Sequence, residues 1–159
     1  MKNTRTLTLH VRSALSDTKK VIKLYEKTSY KEDDTNIKRF FKYIAEEKKQ
    51  NLSLIQKFFQ HRGNEKGLDF FREELVKFSR TKSFSFPHGF IEKIKEEPGE
   101  INSIIKSYRN ERNSMKNYRK LFYETDDKML KFFFGMMFKI QRHNFKNFYD
   151  VFLSLEQQD

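Results

Sequence analysis

Residues 108–127 read YRNERNSMKNYRKLFYETDD and predict a helix that ends at an acidic turn. Tyr108, Met115 and Phe122 are seven residues apart, and Glu111 and Tyr118 fall between them on the same helix face. The closing TDD supplies side-chain oxygens that can accept hydrogen bonds from the free N–H groups of a following helix. The stretch therefore predicts two helices joined by a tight connection.

The same arrangement occurs a second time in the chain. Residues 18–51 align without a gap to residues 111–144, and 10 of the 34 positions are identical. Composition alone would give roughly two or three identities, so a duplicated helical hairpin is the better explanation. The identical pairs are Lys23/Lys116, Tyr25/Tyr118, Lys27/Lys120, Tyr30/Tyr123, Asp33/Asp126, Asp34/Asp127, Lys38/Lys131, Phe40/Phe133, Phe41/Phe134 and Asn51/Asn144.

The pattern predicts four long helices, over about residues 6–30, 34–61, 100–124 and 126–156. Between the two pairs, residues 62–99 contain four glycines and two prolines around a short helical stretch, LDFFREELVKF, at 68–78. Short connections make antiparallel neighbours, and the long crossover lets the second pair return beside the first. The expected fold is all-α, a four-helix bundle that forms a single domain over residues 1–159.

Composition supports a helical domain and excludes several classes of protein. Eighteen Phe and seven Tyr in 159 residues provide a core, although 35% of the chain is charged. Zero cysteines exclude disulfides, zinc ribbons and iron–sulfur clusters. The chain shows neither a long apolar run nor a signal peptide, so a cytoplasmic location without a membrane partner is expected. The formal charge of +11 is compatible with a nucleic-acid partner but does not identify one.

Two carboxylates fall in the middle of apolar helix faces. Glu47 follows Ile44 on the second long helix, and Glu111 follows Tyr108 on the third. An unpaired buried carboxylate costs several kcal/mol, so both glutamates need a metal, a proton or a cationic partner if they point inward. The alternative is that both point into solvent, as most glutamates on helices do.

Across essentially the whole chain, these residues resemble the rubrerythrin-like members of the ferritin-like superfamily. In that family each half presents a Glu, a Tyr seven residues later, an Asp-rich turn, and a Glu-x-x-His pair on the next helix. The second half matches at Glu111, Tyr118, Thr125, Asp126, Asp127 and His143, which lies in KIQRHNF at 139–145. The first half matches at Tyr25, Asp33, Asp34 and AEEKKQN at 45–51. The resemblance implies a ferritin-like bundle with a metal site between its helices, flanked by Tyr25 and Tyr118.

The chain departs from the family at half of the metal-binding positions. Carried over by position, the six expected di-iron ligands fall on Thr18, Glu47, Gln50, Glu111, Ile140 and His143. Thr18 and Gln50 offer only neutral oxygens, and Ile140 offers none. Because two irons need several anionic ligands to balance their charge, a di-iron site is not expected.

Two kinds of centre remain open at Glu47, Glu111 and His143. One is a single Fe, Mn or Zn ion completed by water. The other is a metal-free polar cluster in which His143 is protonated beside the two glutamates, while Tyr25, Tyr118, Thr18 or Gln50 donates hydrogen bonds. A packed histidine with solvated glutamates is the third reading.

Three functions follow from these alternatives. The leading one is a non-catalytic bundle with a degenerate di-iron site and no cofactor, which binds a partner, self-associates or retains residual metal handling; no residue is assigned as catalytic. The second is a metal-dependent oxidase or peroxide-reducing enzyme with a one-metal centre, and the third is a nucleic-acid-binding protein. The aromatic doublets Phe40-Phe41, Phe58-Phe59 and Phe70-Phe71 and the run at 131–140 also predict a homodimer surface.

Overall fold

The structure, a computed structural model, describes residues 2–31, 35–61, 65–79, 89–96 and 98–156, with the connection 125–127 included. Within these ranges the chain forms six α-helices and no strand. They are α1 (Lys2–Lys31), α2 (Thr35–His61), α3 (Glu65–Ser79), α4 (Phe90–Glu96), α5 (Pro98–Glu124) and α6 (Lys128–Glu156). The all-helical prediction is confirmed, and the bounds of the four long helices differ from the expected ones by at most four residues.

The crossover between the two long pairs contains two helices where one was expected. The expected helix is α3, which is a few residues longer than 68–78. The second, α4, has only seven residues, too few for a periodic pattern to be recognised. Gly89 precedes it with a φ of 79°, a left-handed conformation that favours glycine. Phe90 and Ile94, one turn apart, are both buried and anchor α4 to the long helices.

The long helices pack as two pairs, α1 along α2 and α5 along α6. Their short connections make each pair antiparallel. At the start of α6, the Asp127 carboxylate accepts a 2.8 Å hydrogen bond from the Leu130 backbone N–H, which confirms the N-cap predicted for this turn. The corresponding aspartates of the first pair, Asp33 and Asp34, lie outside the described residues.

Two hydrophobic clusters hold the pairs together. The first joins the beginning of α1 to the end of α2, to α3 and to the first half of α6, and it includes Val11, Phe58 and Phe133. The second joins the end of α1 to the beginning of α2, to α4, to α5 and to the end of α6. Each fully buried Phe contributes about 2 kcal/mol through its removal from water.

Members of the aromatic doublets contact one another inside the chain, at the crossover helices. Phe40 contacts Phe90 of α4 with ring centroids 5.9 Å apart, and Phe58 contacts Phe71 of α3 at 5.6 Å. Phe41 is also buried. These contacts place Phe40, Phe41, Phe58 and Phe71 inside the chain, and the homodimer stays a prediction. None of the described helices combines the length and apolar character that crossing a membrane requires.

Candidate functional site

A layer of buried polar side chains separates the two hydrophobic clusters. The layer contains charged, amide and hydroxyl groups from all four long helices, and each of its members is at most 8% exposed. We call it the polar layer, and it consists of Thr18, Glu47, Lys48, Asn51, Ser107, Glu111, Gln141, Asn144 and Asn147. Of the two orientations that the sequence leaves open for Glu47 and Glu111, the structure shows the inward one.

Glu111 forms a buried ion pair with Lys48. The Lys48 Nζ lies 2.8 Å from Glu111 Oε2, and the two side chains are only 3% and 4% exposed. The same ammonium donates a second hydrogen bond to Gln141 Oε1 at 3.1 Å. The other oxygen of Glu111 accepts a 2.8 Å hydrogen bond from the Tyr25 hydroxyl. Lysine, tyrosine and glutamine thus bring α1, α2 and α6 together around a carboxylate of α5.

Glu47 has a different set of partners. The Tyr43 hydroxyl donates to Glu47 Oε1 at 2.8 Å, and the Asn147 Nδ2 donates to Oε2 at 2.9 Å. His143 Nε2 lies 3.5 Å from Oε1, and this contact is an ion pair only when the imidazole is protonated. The His143 side chain is 12% exposed, so it sits at the edge of the polar layer.

Burial changes the chemistry of the tyrosines at the layer. Burial raises the pKa of Tyr25 well above its ordinary value, and the adjacent negative charge of Glu111 raises it further. Burial likewise raises the pKa of Tyr118 to about 12, with the charge of Asp17 as a second cause. Burial and the Glu47 carboxylate raise the pKa of Tyr43. All three phenols therefore stay protonated donors at neutral pH.

The internal repeat explains the arrangement of the layer. Adding 93 to a residue number converts Lys48 to Gln141, and these two side chains touch. Two equivalent positions of the repeat are thus in direct contact. The same operation converts Tyr25 to Tyr118, and it relates Glu111 to Thr18. Glu111 takes part in the charged pair, whereas the hydroxyl of its equivalent Thr18 donates to the Ala14 backbone oxygen at 2.7 Å.

Two other positions that the sequence singles out, Ile140 and Gln50, lie in different environments. Ile140 is fully buried in the first hydrophobic cluster. Gln50 is exposed, so it does not lie in the polar layer, where the metal-free cluster would need its hydrogen bond. Lys48, two residues earlier, takes the inward position because it follows Ile44 by four residues and Phe41 by seven, on the face that α2 buries.

The side chains present do not fit a resident metal. Among the described residues, no group of three His, Asp or Glu side chains lies close enough to bind an ion. Glu47 and His143 come together, whereas Glu111 is bound by Lys48 and Tyr25. A lysine ammonium therefore supplies the positive charge at the Glu111 carboxylate that a metal would supply.

Sequence reasoning missed Lys48, Tyr43, Gln141 and Asn147. Lysine and asparagine are mostly exposed in proteins, so their residue type predicted an exposed position although their helical spacing placed them on an apolar face. The signal that could have found Lys48 is its helical spacing from Phe41 and Ile44. For Gln141, it is the alignment with Lys48 in the repeat. Of the four donors expected in a metal-free cluster, only Tyr25 donates to a glutamate among the hydrogen bonds described.

Two asparagines in the layer lack hydrogen-bond partners. Asn51 and Asn144 are equivalent in the repeat and are 1% and 0% exposed. The side-chain nitrogen and oxygen of both have no partner among the described residues. An unsatisfied buried polar group costs about 1–3 kcal/mol, so this pair reduces stability unless water enters the layer.

Comparison with known proteins gives no match to a family model, a curated protein or a solved structure.

Proposed function

We propose that this chain is a non-catalytic protein of ferritin-like bundle type that works by binding a partner, and that its polar layer has a structural role in place of a metal centre. The observation that carries the proposal is the position of the Lys48 ammonium, 2.8 Å from Glu111 and 3.1 Å from Gln141. The carboxylate that would bind a metal already has an internal cation.

The partners of the second carboxylate support the same conclusion. Glu47 accepts hydrogen bonds from Tyr43 and Asn147, one at each oxygen. A catalytic metal needs several protein ligands and an open position for substrate or water. In the polar layer the acidic oxygens are already bound by protein donors, and the side chains are buried. The layer therefore holds the two helix pairs in register, and binding takes place elsewhere on the molecule.

Metal content tests the proposal directly. Protein purified without chelator and analysed by mass spectrometry of its elements should contain much less than one Fe, Mn or Zn ion per chain. Ferrous iron added in air should show no catalysed oxidation. The variant Glu111→Gln should contain the same trace of metal as the parent. Near-stoichiometric metal that is lost in Glu111→Gln, with the helical circular dichroism unchanged, would overturn the proposal.

A further inference from the structure

A groove of about 950 Å³ lies between α3, the end of α5 and α6. This volume is at the upper end of the range for ligand sites in proteins. Residues from Lys128 to Lys146 of α6 line it. The two end residues are 18 positions apart on the helix, so the groove follows roughly 27 Å of its length. The groove does not include the polar layer, apart from His143 at its edge.

The groove carries a high density of positive charge. Its lining contains seven lysines and arginines and, among the described residues, no acidic side chain. These are Arg72, Arg119, Lys128, Lys131, Lys139, Arg142 and Lys146. Within the described part of the chain, only Arg72 forms an ion pair, with the exposed Asp69 at 2.9 Å. Six cations along one groove thus lack a described counter-charge, which is a strong source of attraction for an anionic partner.

Apolar side chains lie among these cations. Leu75 and Val76 of α3, Phe122 and Tyr123 of α5, and Phe138 of α6 all line the groove. Val76 is 48% exposed and Tyr123 69% exposed, so part of this apolar surface is in contact with water. A partner that fits the groove therefore carries both negative charges and apolar groups, distributed over several helical turns.

Two of the four Phe and Tyr rings that line the groove, those of Phe122 and Phe132, already have internal contacts, which favours an acidic helix over a single-stranded nucleic acid. Such strands stack their bases on open aromatic faces. The Phe132 ring is stacked on Phe58, with centroids 6.0 Å apart, and the Arg72 guanidinium lies 5.6 Å from the Phe132 centroid. Phe122 has the Lys131 ammonium 5.3 Å from its ring centroid. These two rings are already occupied by internal contacts.

Two other occupants fit less well. A lipid with one anionic head group needs cations at one end of its site, whereas these cations extend along the whole groove. A second copy of the chain carries a net charge of +11 and would be repelled by the same cations. An acidic amphipathic helix meets both requirements, because its apolar stripe can pack on the groove while its carboxylates pair with the lysines and arginines.

We propose that this groove binds an acidic amphipathic helix of a partner protein, about five turns long. The proposal rests on the proposed function as a binding protein and names the chemistry of the partner. It is independent of the polar layer, so metal analysis of the same preparations separates a failure of the non-catalytic proposal from a failure of this one.

The test uses a fluorescent 18-residue helical peptide with a Leu/Phe stripe and Glu on both flanks. Its binding to the full chain is followed by fluorescence anisotropy in 50 mM and 200 mM salt. We expect micromolar affinity that falls at least tenfold between the two salt concentrations. The triple variant Lys139→Glu, Arg142→Glu, Lys146→Glu should bind at least tenfold more weakly, and Val76→Asp should also weaken binding.

The matched control is Lys19→Glu, Lys20→Glu, Lys23→Glu, because these exposed lysines of α1 lie outside the groove and the net charge changes by the same amount. This control should retain most of the affinity. Equal losses in the two triple variants would overturn the proposal, since they would indicate attraction to the overall charge alone. No peptide binding in 50 mM salt would overturn it too, as would tighter binding of a single-stranded oligonucleotide or of oleate tested in parallel.

Discussion

Lys48 shows how strongly the environment of one residue decides its role. The lysine is nearly inaccessible to solvent and is bound to Glu111 and Gln141, whereas Lys49, the next residue, is exposed and pairs with Glu26 and Glu46. Removing one partner of a buried ion pair leaves an uncompensated charge, which is far more costly than losing an exposed pair. Two adjacent lysines therefore differ greatly in their expected contribution to stability.

Substitution of Lys48 measures this difference. Lys48→Met should lower the free energy of unfolding by about 3–5 kcal/mol, because Glu111 stays buried without its cation. Lys49→Met, the matched control, should leave it almost unchanged, because the ion pairs of this lysine are exposed to solvent. Urea unfolding followed by circular dichroism provides both values.

If Lys48→Met does not fold, the double variant Lys48→Met, Glu111→Gln still tests the pair. The amide has no charge and keeps an acceptor for the Tyr25 hydroxyl, so the double variant should recover more than half of the lost stability. A double variant as unstable as the single one would show that the ion pair is not the source of the loss.

The partly buried phenol of Tyr118 makes the free energy of unfolding fall at alkaline pH. Its pKa is raised to about 12 in the folded protein, whereas an unfolded tyrosine ionises near its ordinary value of about 10. The stabilising contribution is therefore complete below pH 10 and is lost as the pH rises from 10 to 12. Tyr118→Phe removes this contribution.

Unfolding by urea at a series of pH values from 9 to 11.5 tests this effect. Lysines also titrate in this range, so the informative quantity is the difference between Tyr118→Phe and the parent. Above pH 10 the stability of the variant should fall less steeply, by at most about 1.4 kcal/mol per pH unit. Parallel curves for the two proteins would contradict the expectation.

At the scale of the helices, α2 and α6 meet through equivalent residues. Lys48 contacts its equivalent Gln141, and Asn51 and Asn144 follow one turn later on the same helices. The first pair is hydrogen-bonded, whereas the side-chain atoms of the second pair have no described partner. The polar layer therefore contains a hydrogen-bonded pair that stabilises the fold and, one turn away, a pair of unsatisfied side chains that reduces its stability.

Replacing both asparagines by leucines of similar volume should raise the free energy of unfolding by about 1–3 kcal/mol. Because no hydrogen bond joins the two amides, Asn51→Leu and Asn144→Leu alone should each give part of the gain, and the gains should add. Asn113→Leu, at an exposed position of α5, is the control and should change little. Single variants that lose stability, with recovery in the double, would indicate that a shared water satisfies both side chains.

At the scale of the whole molecule, the sequence predicts the architecture better than the site. The repeat, the acidic turns and the glycines of the crossover locate the four long helices, because each of these signals can be recognised in the sequence without knowledge of the packing. Helix α4 was not predicted because seven residues show no period, and its place depends on Phe90 and Ile94 reaching distant helices.

The partners of the predicted carboxylates could not be read from the sequence for a related reason. Glu47 and Glu111 are recognisable because a carboxylate on an apolar face is unusual. Lys48 reaches Glu111 and Asn147 reaches Glu47 from a different helix, so only packing brings these partners together. Tyr43 is the exception, because it lies four residues before Glu47 on α2 and this spacing could have indicated the contact. For a polar residue next to an apolar stripe, a rotation of the helix by one residue, about 100°, decides whether the side chain is buried or exposed.

The contact between Lys48 and Gln141 also limits how such a molecule could arise. In a dimer of two identical hairpins, the residue on the twofold would face its own copy, so lysine would meet lysine and repel, and glutamine would leave a buried acid without a counterion. A single cation at that point requires the two hairpins to carry different residues. One chain that contains both hairpins meets this requirement, because its two halves can carry different residues at equivalent positions.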